Sequence, residues 1–269
     1  MLRNQIKNHN GSEHKSEERV QSVTVSMLNL SSYSALIFDL DGVITQTANL
    51  HARAWRMMFD EYLQWRKDRG KTAFAPYRDG DYTQHLDGRP RYEGVDHFLT
   101  SRDIDLPWGD PEDPPGMKTV CGLGNRKNQI FHDLLRKQGA DVYEDGVLLT
   151  REMKTRGLPI AVVSSSRNCR AILDSAGLTN LFDVRVDGVT MEREGLKGKP
   201  DPDIFLRAAE LLGVDPARAV VFEDAIAGVE AGKAGNFGLV VGVNRGGNRE
   251  VLQKHGADVV FEDLQKAMP

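Results

Sequence analysis

Little in this chain points to export, membrane insertion or binding to polyanions. Cysteine is nearly absent: only Cys121 and Cys169 occur in 269 residues, so no disulfide framework supplies the stability. No stretch approaches the ~20 apolar residues that a membrane helix needs. The first 34 residues lack the apolar core of a secretory signal, and Asn10-Gly11-Ser12 and Asn29-Leu30-Ser31 carry no weight as glycosylation patterns without export. An excess of basic charge is missing too. With 35 Lys+Arg against 39 Asp+Glu the formal net charge is −4, which leaves no electrostatic footprint for nucleic acid or an anionic membrane. Internal repeats and low-complexity tracts are also absent. The expectation is a cytoplasmic monomer with neither nucleic acid nor membrane as partner.

What is present is ordinary for a globular protein, with 40% hydrophobic and 28% charged residues. Residues 1–32 are rich in Asn, Ser, Glu and Lys and are expected to form a disordered tail, with Val20–Leu30 docking at most as a short strand or turn. From Tyr33 the pattern changes. Short, β-branched apolar runs recur at Ala35–Phe38, Ile160–Val163, Ala219–Phe222, Leu239–Val241 and Val259–Phe261, as expected for strands covered on both faces. Helical patterns separate them: Arg167–Ala176 and Asp203–Leu212, each stopped by glycine, then Ala225–Ala234 and Asn248–His255. Strand alternating with helix predicts an α/β fold with a doubly wound, Rossmann-like parallel sheet. Residues 48–140 break the rhythm, with helical patterns at Leu50–Arg66, Gly94–Ser101 and Asn125–Gln138 and a loop rich in Pro, Gly and Asp at Leu106–Gly116. They read as an inserted, mostly helical cap domain, leaving 33–47 plus 141–269 as the catalytic core.

In open α/β sheets, ligands bind beyond the carboxyl ends of the strands. Those ends carry Asp39 and Asp41, then Ser164, then Glu223 and Asp224, while Lys199 stands in a Gly-Lys-Pro-Asp-Pro-Asp turn. Carboxylates so crowded repel unless a cation neutralises them. Hard oxygen donors without His or Cys point to Mg²⁺, and a metal with a lysine beside an aspartate suits the stabilisation of a transferring phosphoryl group. Taken singly, each acid would be a solvated carboxylate or a helix cap, and Asp203 is assigned that role. Other signals have structural readings. Gly228–Ala234 lacks the Walker spacing and reads as helix surface, Gly122-Leu123-Gly124 as the entry to the next helix, and Trp55, Met58, Phe59 and Tyr62 as core. Nothing around Cys169 marks it as a nucleophile.

The segment Phe38-Asp39-Leu40-Asp41-Gly42-Val43-Ile44 resembles the first motif of the haloacid dehalogenase-like (HAD) superfamily. Val163-Ser164-Ser165-Ser166, Gly198-Lys199-Pro200 and Phe222-Glu223-Asp224 resemble its other three motifs, in order. Within that superfamily the chain is similar to the β-phosphoglucomutase family. Thr47 and His51 follow the first motif at that family's spacing. Gly88-Arg89-Pro90-Arg91 resembles its substrate-specificity loop, Arg126-Lys127-Asn128 its cap lysine segment and Ser166-Arg167-Asn168 its phosphate-binding turn. The segment from about Trp65 to Cys121 is longer than the family's, Gln46 replaces a commonly acidic residue, and Arg167 stands where lysine is usual.

The resemblance implies a role for each residue. Asp39 would be the nucleophile that becomes an aspartyl phosphate, and Asp41 the general acid/base. Mg²⁺ would be held by Asp39, Glu223, Asp224 and the backbone carbonyl of Asp41. Ser164 and Lys199 would hold the transferring phosphate, with the amides of Ser165 and Ser166 opening a helix toward it. Arg91, Ser166, Arg167 and Asn168 would grip a second phosphate, while Thr47, His51 and Lys127 would orient the sugar and the acid/base. The implied reaction interconverts β-D-glucose 1-phosphate and glucose 6-phosphate. The alternative is a phosphatase of small sugar phosphates; a non-catalytic role would have no use for intact acids and lysine.

Overall fold

The computed structural model describes residues 28–268 apart from 72–73, 79, 87–88 and 248. The strands are β1 (Ala35–Asp39), β2 (Ile160–Val163), β3 (Val184–Val186), β4 (Ala219–Glu223), β5 (Leu239–Val243) and β6 (Val259–Phe261). They form one parallel sheet in the order β3-β2-β1-β4-β5-β6, the doubly wound arrangement expected from the sequence. The continuous apolar runs follow from covering both faces. Leu36 and Phe38 of β1 enter one hydrophobic cluster, Ala35 and Ile37 the other, and all four are fully buried. Phe38 stacks on Phe222 of β4 with ring centroids 4.4 Å apart.

Register turns this sheet into a site. Asp39 lies level with Val163, so Ser164 follows immediately beside it. Phe38 lies level with Phe222, which sets Asp39 beside Glu223. From β1 the chain runs outward through β2 to β3 and then crosses back to β4 on the other side of β1, so the ends of β1 and β4 flank the switch point where a crevice must open.

The helical part follows β1. It comprises α1 (Ala48–Lys67), a π-helical turn at Tyr82–Leu86, α2 (Arg91–Thr100) and α3 (Val120–Gln138). Trp55, Met58, Phe59 and Tyr62 are buried as expected, and Phe59 stacks on Phe98 of α2. The chain enters and leaves this part as a paired ribbon: Gln46 N donates to Asp141 O at 2.8 Å and Tyr143 N to Ile44 O at 2.9 Å. Then come α4 (Glu144–Thr155), α5 (Cys169–Ser175), α6 (Gly188–Glu194), α7 (Asp203–Leu212), α8 (Ile226–Ala234) and α9 (Arg249–Lys254). No helix among the described residues is long and apolar enough to cross a membrane.

Several expectations need correction. Residues 1–27 of the predicted tail lie outside the described residues; at its end Leu30 opens a 3-10 turn and is fully buried, in keeping with the short docked turn allowed there. Asp203 does not cap α7, whose N-cap is Pro202; its Oδ2 instead accepts from Lys197 N at 3.0 Å. The helix at Gly228 is not merely surface. Gly228, Val229, Ala231 and Gly232 are buried, and a Cβ at Gly228 would fall 1.8 Å from Glu223 Oε1, so only glycine lets α8 pass that side chain. The sequence reading also lacked α4, α6 and β3.

Candidate active site

The strand ends bring the predicted acids together. Oxygens of Asp39, Glu223 and Asp224 all lie within 4.8 Å of one another. Lys199 Nζ donates to both Asp39 Oδ1 and Glu223 Oε1 and is only 11% exposed. Burial alone would lower the lysine's pKa, but the Asp39 and Glu223 carboxylates outweigh it and hold the pKa above the usual lysine range. The acids respond in the opposite sense. Burial, only partly offset by Lys199, pushes Asp39 well up, and burial with the neighbouring Glu223 carboxylate pushes Asp224 up to about 8. One ammonium does not satisfy three carboxylates, two of them buried. That excess of hard oxygen donors fits a divalent cation such as Mg²⁺. Gly42 keeps Asp224 close: its φ is +93°, and a Cβ there would lie 1.9 Å from Asp224 Oδ2.

Asp41 stands two residues beyond Asp39 and faces other partners. Its Oδ1 accepts from Thr47 Oγ1 and, at 3.4 Å, from Thr45 Oγ1, while Ser164 Oγ donates to Oδ2 at 3.4 Å. Burial raises its pKa against these hydrogen bonds. An acid partly desolvated near the reacting group is placed to give and take a proton.

Past β2 the chain turns on its own hydroxyls. Ser166 N donates to Ser164 Oγ and Asn168 N to Ser166 Oγ, both at 3.1 Å. Helix α5 begins only at Cys169, so the amides of Ser165 and Ser166 lie ahead of it rather than in its first turn, as the sequence had suggested. Arg167 is exposed and pairs with Glu192 of α6. Burial raises the Cys169 thiol pKa, in keeping with an inert cysteine.

The helical part supplies cations. Lys127 is 4% exposed and its Nζ lies 2.7 Å from His51 Nδ1, with His51 stacked on Phe131. Burial and then Arg91 push Lys127 down to about 7, and burial with Lys127 and Arg91 keeps His51 far below its ordinary value. Arg91 is itself lowered by burial and by nearby Arg167. Gly88 of the predicted specificity loop lies outside the described residues. Two residues were given no role by the sequence: Asn128, quoted only as part of the Arg126-Lys127-Asn128 segment, whose Oδ1 accepts from Asn168 Nδ2 at 2.9 Å, and Asn125, which touches Arg91. Their contacts depend on where α3 meets other elements.

A family model of haloacid dehalogenase-like hydrolases matches residues 33–236. The chain belongs to the haloacid dehalogenase-like hydrolase family. It is therefore an enzyme of that family. A β-phosphoglucomutase of Mycobacterium bovis is 51% identical over 87% of this chain and 91% of its own length. One from Bacillus subtilis is 35% identical over 86% and 94%. Among solved structures, a β-phosphoglucomutase from Clostridium difficile matches with a TM-score of 0.67 at 27% identity, covering 87% of this chain and 92% of that one.

Proposed function

We propose that this enzyme is a phosphomutase interconverting β-D-glucose 1-phosphate and glucose 6-phosphate through a phosphate ester of Asp39. One observation carries the reading: cations gather at two places. Lys199 lies against Asp39 beside Ser164, and Arg91 lies near Arg167 of the Ser166–Asn168 turn, where burial and then Arg167 lower its pKa. We read the first as the place of the transferring phosphate and the second as the place of the other. A hydrolase of simple esters needs only the first; a mutase must also hold the phosphate that is not being transferred. The similarity to β-phosphoglucomutases supports the same reading.

In this reading the phosphorylated Asp39 gives its phosphoryl group to O6 of β-glucose 1-phosphate, and Asp41 takes the hydroxyl proton. The resulting 1,6-bisphosphate turns over in the site. Asp39 then attacks the phosphorus at C1, the P–O1 bond breaks, and Asp41 returns its proton to O1, releasing glucose 6-phosphate. Mg²⁺ held by Asp39, Glu223, Asp224 and the Asp41 carbonyl would neutralise charge on the transferring group. Lys199 works against the burial that raises Asp39 and so favours its ionised form for attack. Thr47 fixes the Asp41 carboxylate, and Lys127 with His51 orients the sugar. The Asn128–Asn168 hydrogen bond ties α3 to the Ser166–Asn168 turn, and a helical part held there would keep out water that hydrolyses the phosphoenzyme.

Phosphorus NMR of the purified protein with Mg²⁺ and β-glucose 1-phosphate tests this directly. Glucose 6-phosphate should accumulate with little inorganic phosphate; free phosphate as the main product would make the enzyme a sugar phosphatase instead.

A further inference from the structure

Arg91 has an unusual neighbour. Among the described residues it makes no ion pair with a carboxylate; its Nη1 donates instead to the neutral Oδ1 of Asn125, in the second turn of α3, at 3.5 Å. That oxygen also accepts from Tyr92 Oη at 3.0 Å. The other end of the same amide holds the loop Leu106–Gly116, with Asn125 Nδ2 donating to Pro111 O and Asp113 O at 2.9 Å each. Two carbonyls can be met only by the amide nitrogen, so the oxygen must face Arg91.

The loop that fixes this amide is itself built firmly. Asp113 Oδ2 accepts from Thr119 Oγ1 at 2.6 Å and from Asp110 N at 3.1 Å, and Thr119 Oγ1 caps α3 at Gly122 N. Gly116 N donates to Gly122 O at 2.9 Å. A Cβ at Gly124 would stand 2.7 Å from the Tyr92 ring and 3.3 Å from Arg91 Cδ, so the start of α2 sits directly on α3. A neutral acceptor here has a chemical consequence. It restrains a long side chain, lowering the ordering cost on binding, without cancelling the charge that an incoming phosphate needs. An aspartate in its place would compete with that phosphate.

We propose that Asn125 is the positioning residue of Arg91, and that through it the loop Leu106–Gly116 sets how tightly the non-transferring phosphate is held. This inference rests on the role given to Arg91 above. The test is a double-mutant cycle on KM and kcat for β-glucose 1-phosphate with wild type, Asn125→Ala, Arg91→Ala and the double variant. Losing one long hydrogen bond, 3.5 Å between donor and acceptor, should raise KM about 2- to 12-fold, with kcat changing less. In the Arg91→Ala background the same change should do nothing further. If thermal unfolding shows that Asn125→Ala does not fold, Asn125→Gln, which keeps an amide nitrogen for the two carbonyls but displaces the oxygen from Arg91, is read in the same cycle. It should raise KM, and again have no effect once Arg91 is gone. Effects that multiply in the double variant overturn the proposal, as does an unchanged KM in the Asn125 variants beside an Arg91→Ala that shows its loss. An Arg91→Ala enzyme with unchanged KM removes the role of Arg91 itself, and the inference with it.

Discussion

The sheet and the helical part both bury lysine, and they do so under opposite conditions. Lys199 lies against two carboxylates that hold its pKa above the ordinary range despite burial. Lys127 is as deeply placed, yet burial and Arg91 bring it down to about 7, and its hydrogen-bond partner is a neutral histidine. The sheet side thus carries surplus negative charge, expressed in Asp224 pushed up to about 8. On the helical side Lys127 and Arg91 repel each other, and among the described residues neither makes an ion pair with a carboxylate. A crevice with one wall short of a cation and the other short of an anion is matched by a metal together with a doubly phosphorylated ligand.

The comparison breaks most decisively at Asp39. Asp39→Asn removes the group proposed to carry the phosphoryl group while keeping its shape, so phosphoryl transfer from β-glucose 1-phosphate and from acetyl phosphate should fall to background with the fold intact. Turnover at a sizeable fraction of the wild-type rate would take Asp39 out of that role. Asp41→Asn comes next. Transfer to a sugar hydroxyl should drop by roughly 10²–10⁴-fold, the usual contribution of acid/base catalysis. Phosphoenzyme formation from acetyl phosphate, whose leaving group needs little protonation, should survive, and rapid-quench measurement of both steps checks the split.

On the helical side the expected effect is smaller and more selective. Arg91→Ala would lose the charge-assisted phosphate contact proposed for it, worth roughly 1.5–3 kcal/mol, or about 10- to 150-fold. The loss should fall on isomerisation and largely spare hydrolysis of p-nitrophenyl phosphate, which has no second phosphate. The ratio of the two activities, measured on one preparation, should therefore drop. An unchanged ratio would make the helical side a cover rather than a binding wall.

The two sides also differ in how far the chain announces them. On the sheet, Asp39, Ser164 and Glu223 end apolar runs, and parallel register converts that local fact into proximity, so reading the strands amounts to reading the site. The same logic missed β3, three residues with Val184 half-buried and Arg185 exposed, because an edge strand lacks the double covering that makes a run continuous. It missed α6 for a related reason: Gly188 opens that helix where a Cβ would lie 2.7 Å from Ser165 O, a tertiary fit invisible to periodicity. In the helical part the apolar stripe of α1 was plain, but the polar contacts were not. Asn125 and Asn128 look like ordinary exposed positions until α2, α5 and the Leu106–Gly116 loop close around them.

The contrast between the lysines can be weighed by stability alone. An unfolded chain holds the Lys127 proton up to about pH 10.4. The folded chain gives it up near 7. Between those values the unfolded state binds the extra proton, so stability rises with pH across that window, and below it the cost of burying the charge is felt in full. Lys127→Met keeps the unbranched stem and contacts with Trp55 and Phe131 while removing the charge. In urea unfolding without ligand, the variant should be more stable than wild type by on the order of a few kcal/mol at pH 6. The advantage should shrink as the pH approaches 10. Lys199→Met should do the reverse, destabilising the protein at pH 7 by leaving Asp39 and Glu223 buried without their counter-ion. A Lys127→Met protein weakened at pH 6, or shifted equally at both pH values, would mean that Lys127 already has its counter-charge and that the two walls are not opposites.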